Sequence, residues 1–192
     1  MKSVILLILG SISLFMNSSF EEKIDYKPKM LLKEISNLPS GKEYQLNELV
    51  HPGITTDTYD LKGKFFEIIC NDNKIYTAYV GRVNCCRAGG CSNLVTIDFD
   101  GEFEYFDYFI LYDSQNRIVT TRVYNYEATH GAEITAKGWL NQFSGFDGTK
   151  NLRIGKEVDA ISGATISVFG LVADIQEKTE LLRRFHTLTE AK

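Results

Sequence analysis

The sequence predicts an α+β fold: an antiparallel, meander-like sheet packed with an N-terminal helix and a C-terminal helix. Three observations carry this. Aromatic residues make up 12% of the 192-residue chain, with 10 Tyr and 12 Phe, a bias that favours strands. Short turn signals at Asn71-Asp72-Asn73, Asp100-Gly101 and Ser114-Gln115-Asn116 separate runs of strand-forming residues. Apolar residues at helical spacing lie on both sides of that region. Hydrophobic residues at 44% and charged residues at 24% are globular values and exclude a disordered chain. Lys+Arg 21 against Asp+Glu 25 gives a net charge of -4. That leaves no basic excess to hold a phosphate backbone, so no nucleic-acid partner is expected.

The elements follow in order. Lys2 is the only charge before Glu21, and the run from Val4 to Met16 is interrupted only by Gly10, Ser11 and Ser13. A basic start, a short apolar run and then small polar residues describe a secretory signal peptide over residues 1–19, with an N-terminal anchor as the alternative. The run of about 13 residues falls short of the ~20 needed to span a bilayer. Residues 20–63 read as a helical and loop extension. Within it, Met30, Leu31, Ile35 and Leu38 space a helix over Pro28–Leu38, and Asn37–His51 reads as loop or short helix. The main domain, 64–192, opens with strands over Lys64–Cys70 and Lys74–Val80. Further strands are expected over Asn93–Phe99, Glu102–Phe106, Tyr108–Asp113 and Arg117–Tyr126. A polar loop follows from Glu127 to Gly131. Ile134–Phe143 reads as a short helix or irregular segment, and Val168, Leu171, Val172, Ile175, Leu182 and Phe185 mark a helix from Thr165 to Arg184.

Export changes how the four cysteines read. Cys70 stands alone, while Cys85, Cys86 and Cys91 cluster around Gly89-Gly90. In an oxidising compartment an even count points first to disulfides, here joining the 85–91 cluster to itself or to Cys70. Redox-active thiols and a four-thiolate metal shell are the alternatives. The spacing matches neither paired C-x-x-C units nor the ferredoxin runs.

The chemistry concentrates where the last helix begins, at Asp159-Ala-Ile-Ser162-Gly163-Ala164-Thr165. Gly163 and Ala164 are small enough to let another group approach the backbone. Ser162 reads as the N-cap, with the amides after it facing outward at the positive end of the helix dipole. Such a terminus suits a phosphate, although an ordinary capped helix would look the same.

Asp159-x-x-Ser162-Gly163-Ala164-Thr165 resembles the flavinylation motif Asp-x-x-(Ser/Thr)-Gly-Ala-(Ser/Thr) of FMN-binding domains such as the NqrC and RnfG subunits of sodium-pumping and electron-transport complexes. By average composition the motif arises by chance on the order of once in a thousand chains of this length. Tyr79-Val80-Gly81, the strand ending at Tyr126-Glu127, and Gly138-Trp139-Leu140-Asn141-Gln142-Phe143 resemble the family's blocks in the same order, over roughly residues 74–186. The family commonly reads Glu-Thr-Pro-Gly-Leu-Gly after that strand. This chain reads Glu127-Ala128-Thr129-His130-Gly131-Ala132, so the Pro is missing and the Thr comes one residue later.

The resemblance implies FMN joined through its phosphate to the Thr165 hydroxyl by a flavin transferase. It gives Asp159 a part in that attachment and makes Glu127, Thr129 and Gly131 candidates for the pocket wall. It implies an exported electron carrier for redox partner proteins, membrane-bound ones among them, in which the flavin does the redox chemistry. No substrate pocket or catalytic triad is legible, so a carrier is expected in preference to a turnover enzyme. A flavin-dependent reductase of a small acceptor, and a non-flavinylated structural or sensory module of the same fold, are the alternatives. His130 reads as a flavin contact or a surface histidine, and Trp139 as a ring for stacking or, more simply, a core residue.

Overall fold

The computed structural model describes residues 23–50, 62–87 and 103–190. Its centre is a five-stranded antiparallel sheet in simple meander order. The strands are β1 (Tyr44–Glu48), β2 (Gly63–Cys70), β3 (Ile75–Arg87), β4 (Phe103–Tyr112) and β5 (Ile118–Tyr126). Helix α1 (Lys29–Ser36) precedes the sheet. After it come a 3-10 turn (Ala132–Thr135), the single-turn helix α2 (Lys137–Leu140), a second 3-10 turn (Asn141–Phe143) and the long helix α3 (Thr165–Glu190). The α+β reading therefore holds, with a helix at each end of the described chain.

Alternation along β4 explains why its sequence reads as a nearly unbroken aromatic run. Phe106, Tyr108, Ile110 and Tyr112 pack with Val168, Leu171, Ile175 and Leu182 of α3. Phe109 and Leu111 pack with Leu31 and Ile35 of α1 on the other face. Successive side chains point to opposite faces, so a strand covered on both sides needs apolar residues at every position. The exception is Asp107, which is buried and takes a two-point ion pair from Arg82, Nε to Oδ1 at 2.7 Å and Nη2 to Oδ2 at 3.0 Å.

Two hairpins fall where the turn signals placed them. Asn73 and Asn116 adopt φ of 62° and 60°, left-handed values that Asn tolerates better than most residues. Three expectations need correction. Asn37–His51 holds a strand, β1, whose Tyr44 to Glu48 register against Cys70 to Phe66; with few apolar residues it has no readable period and owes its conformation to pairing with β2. β3 runs on to Arg87, well past Val80. Glu102–Phe106 and Tyr108–Asp113 are one strand, because Asp107 is compensated by Arg82 instead of marking a turn. The expected strand Asn93–Phe99, the Asp100-Gly101 hairpin and the signal segment 1–19 lie outside the described residues.

The sheet also decides part of the cysteine question. Cys70 sits at the β2–β3 hairpin, its amide bonded to Lys74 O at 2.9 Å, with a buried free thiol on the α1 side. Burial, reinforced by Asp72, pushes that thiol's pKa up. Cys85 lies toward the other end of β3 and packs on the α3 side, with Sγ 3.3 Å from Glu104 O. Some ten strand residues separate the two sites, about 30 Å, against the ~7 Å between Cα atoms that a disulfide allows. A bridge from Cys70 to Cys85 is therefore excluded, and so is a metal shell built from all four thiolates. Cys91 and the side chain of Cys86 lie outside the described residues.

Candidate functional site

The Asp159–Thr165 segment is an exposed turn clamped from below. Val158 is fully buried, bridges Ile154, and anchors its start in the α3-side core. The backbone of Asp159 is then held at both ends. Its N–H donates to Gln142 Oε1 at 2.8 Å, and its carbonyl accepts from the Trp139 indole at 2.9 Å. Gln142 Nε2 in turn donates to Trp139 O at 3.1 Å, and the Trp139 ring meets Phe143 edge-on at 5.4 Å. Trp139 is thus a half-buried brace for the motif. The exposed Asp159 side chain remains accessible.

The chain next turns sharply. The Ala164 N–H donates to Ile161 O at 3.2 Å, closing a turn in which Gly163 has φ of 83°. That value suits glycine, because a Cβ is strained there. A Cβ at Gly163 would meet nothing within 4 Å, so the glycine serves the turn's conformation and leaves open space above it. Helix α3 begins directly afterwards, its first bond running from Val168 N to Ala164 O at 2.9 Å. This corrects one expectation: Ala164 occupies the N-cap position, and Ser162 belongs to the preceding turn because Gly163 reverses the chain between them. Ser162, Gly163 and Thr165 are exposed, and Ala164 is buried. The first-turn amides of α3 lack intrahelical acceptors, and no acidic residue lies in that turn. A helix start of this kind suits a phosphate ester.

The loop after β5 reaches the same place through Gly131. This residue is buried with φ of 90°, and a Cβ on it would lie 2.9 Å from Ser167 Oγ, 2.9 Å from Tyr126 Oη and 3.3 Å from Ala164 Cα. Tyr126 Oη donates to His130 O at 2.5 Å and lies 3.1 Å from Ser167 Oγ. Gly131 therefore packs against the start of α3. Glu127 and Thr129 engage β4 instead: the Glu127 N–H donates to Tyr105 O at 2.9 Å, and the Thr129 hydroxyl donates to the Glu104 carboxylate. His130 is exposed. Nothing in the sequence gives Tyr126, Gln142 or Ser167 these bracing roles, because each looks like an ordinary polar residue of its element.

A groove of about 500 Å³ adjoins the site, between residues 152–154 and α3. Gln176 ties its two walls together, accepting from Leu152 N at 2.9 Å and donating to Asn151 Oδ1 at 3.3 Å. Arg153 and Glu157 brace the outer wall, and the hydrogen bond from Arg153 holds the Glu157 carboxyl down to about 2.

Residues 106–178, from β4 to the middle of α3, match the model of a family described as FMN-binding domain. No curated protein and no solved structure matches the chain.

Proposed function

We propose that the protein is an exported electron-transfer flavoprotein carrying FMN as a phosphoester on Thr165, a reading supported by the match of residues 106–178 to the FMN-binding domain family. The observation that carries this reading is the exposed Thr165 in the first turn of α3, presented by the Gly163 turn and a motif backbone clamped through Trp139 and Gln142. A flavin transferase must bring a flavin phosphoanhydride to the hydroxyl. The Thr165 oxygen bonds to the flavin-side phosphorus, the anhydride P–O bond breaks, the other phosphate leaves and the hydroxyl proton passes to the transferase or water. A protruding turn with open space at Gly163 admits this approach. The exposed Asp159 carboxylate is the group on this chain that the transferase engages.

When bound, the flavin supplies one- and two-electron chemistry between redox partner proteins. The residues around it hold and orient. The open amides of the first α3 turn would hold the phosphate oxygens. Ala164 and Gly131 lock that turn to the end of β5, and the Trp139–Asp159 bond keeps the preceding loop from swinging. A covalent link suits an exported carrier, since a dissociated cofactor would be lost to the surroundings. The segment 1–19 is the proposed export signal. The proposed partners are the flavin transferase and redox proteins at the extracytoplasmic face of the membrane.

The test is the intact mass, and the flavin fluorescence after denaturing electrophoresis, of protein exported from cells that contain a flavin transferase. A covalent adduct on the wild type and on Thr165→Ser, lost in Thr165→Val, is the expected pattern. An adduct that survives in Thr165→Val overturns the assignment. Unlabelled wild-type protein would support the reading as a structural module of the same fold.

A further inference from the structure

Helix α1 buries Leu31 and Ile35 against the sheet. At about 3.6 residues per turn, a residue two positions from a buried one lies on the opposite side of the helix. That puts Lys29 and Lys33 at its outward pole. Both are exposed, Lys27 is exposed just before them, and Met30 stands beside them 41% exposed. The segment leading into the helix is held to the sheet. Tyr124 Oη donates to Asp25 O at 2.8 Å, and the Tyr26 ring meets Phe66 at 6.4 Å. The lysines therefore sit on a fixed face.

That face is basic in a chain whose net charge is -4. Acids on it and on the neighbouring elements already have cations: Glu34 pairs with Arg122 at 3.1 Å, Glu48 with Lys64 at 2.9 Å and Asp72 with Lys74 at 2.9 Å. Asp25, whose carboxylate accepts the Lys27 N–H at 3.0 Å, offsets one lysine. In the sequence Glu21 and Glu22 cancel Lys23, and Glu43 cancels Lys42. Among the described residues, no ion pair engages Lys27, Lys29 or Lys33.

We propose that this face of α1 rests on an anionic phospholipid bilayer, with Lys27, Lys29 and Lys33 against the headgroups and Met30 at their boundary with the acyl chains. The apolar run Val4–Met16 ends seven residues before Lys23, and seven residues reach at most about 25 Å. A membrane that receives that run, as export signal or as anchor, lies within reach of α1. While the run is held there, docking of α1 is intramolecular, so a few lysines suffice. An exposed methionine among lysines suits the headgroup region, where buried apolar area and attraction to anionic lipid add. The sheet separates α1 from α3. A domain seated on α1 therefore keeps α3 and the Thr165 turn on the side away from the bilayer, open to proteins in the aqueous phase. This contact needs no flavin.

The test uses the full chain carrying Met30→Cys, or Phe169→Cys on the α3 side, mixed with vesicles rich in phosphatidylglycerol or made of phosphatidylcholine alone. Peptide-level mass spectrometry follows modification of each position by a water-soluble maleimide. Each lysine near an anionic surface contributes a factor of about five to binding, so modification at position 30 should be about tenfold slower with the phosphatidylglycerol vesicles. The rate at position 169 should not change, and neither rate should change with phosphatidylcholine. Raised salt should restore the rate at position 30, and so should Lys29→Gln with Lys33→Gln, two exposed positions whose folding circular dichroism checks. Equal rates at position 30 with and without phosphatidylglycerol vesicles overturn the proposal. So does equal slowing by phosphatidylcholine, equal slowing at position 169, or slowing that survives the two glutamines. The same protection by a DNA duplex would show a site for any polyanion and overturn the bilayer.

Discussion

The Trp139 indole N–H donates to the carbonyl of Asp159 across 2.9 Å, joining two segments twenty residues apart in the chain. With Gln142 bonded to both residues, this makes a small closed network under the motif. Trp139→Phe keeps the ring contact with Phe143 and removes one hydrogen bond. The expected cost is about 1 kcal/mol in urea unfolding, together with slower flavin labelling because the motif loop loses its brace. Labelling at the wild-type rate would show that the clamp does not serve attachment.

Gly163 gives a prediction that separates conformation from bulk. Its φ of 83° is left-handed, and a Cβ there has open space. Gly163→Ala should therefore cost about 1–2 kcal/mol, while Gly163→Asn costs less because Asn enters that region more readily. Flavin labelling should fall in the same order, glycine above asparagine above alanine. A ranking set by side-chain size, with asparagine worst, would assign the glycine to clearance for the transferase.

These two cases show what the sequence carries and what it hides. The motif, the two asparagine turns and the amphipathic α3 are local patterns, readable because spacing alone encodes them. Strand β1 and the unity of β4 are not local. Tyr44–Glu48 becomes a strand by pairing with β2, and Asp107 sits mid-strand only because Arg82, on a neighbouring strand, compensates it. Near the site, Thr165 and Gly131 are legible as residues, but the packing of Gly131 against Ala164, directly before Thr165, depends on the fold. The distance between Cys70 and Cys85 depends on the length of β3, which the Lys74–Val80 reading cut short.

The Arg82–Asp107 pair has side chains only 7% and 2% exposed, with Asn125 Nδ2 donating to Asp107 Oδ2 at 3.2 Å. Arg82→Met leaves a buried carboxylate without its cation and should cost about 3–5 kcal/mol. Adding Asp107→Leu removes the stranded charge, and most of the loss should return. Chemical denaturation of the two variants checks this; a double variant as unstable as the single one would show that the pair contributes more than the cancellation of its own desolvation.

Tyr79 presents the opposite situation. Its hydroxyl is buried without a hydrogen-bond partner among the described residues, pressed toward the backbones of Gly63 and Gly81. An unsatisfied buried hydroxyl is unfavourable, so Tyr79→Phe should raise stability by about 1 kcal/mol. Thermal and urea unfolding measure it, and a loss of stability would reveal a partner for that oxygen.

The last prediction concerns pH. Asp174 on α3 accepts from Tyr108 Oη at 2.6 Å and pairs with Lys178 Nζ at 3.0 Å, beneath the sheet face that carries Tyr79. Burial pushes its carboxyl above the ordinary range, with Lys178 and the Tyr108 hydroxyl only partly offsetting this. A carboxyl that ionises less readily in the folded chain than in the unfolded one favours folding while both states are protonated. That contribution is fully present below the unfolded value of about 3.9. It is lost as pH rises through the raised folded value, because the unfolded chain sheds its proton first. Asp174→Asn cannot titrate. The stability of wild type relative to Asp174→Asn should therefore fall as pH climbs from about 3.5 through the raised pKa, and then level off. Urea unfolding of both proteins at closely spaced pH values from acid to neutral reads this difference directly. A difference that stays flat, or that grows with pH, would mean that Lys178 outweighs burial and holds the Asp174 carboxylate ionised in the folded protein.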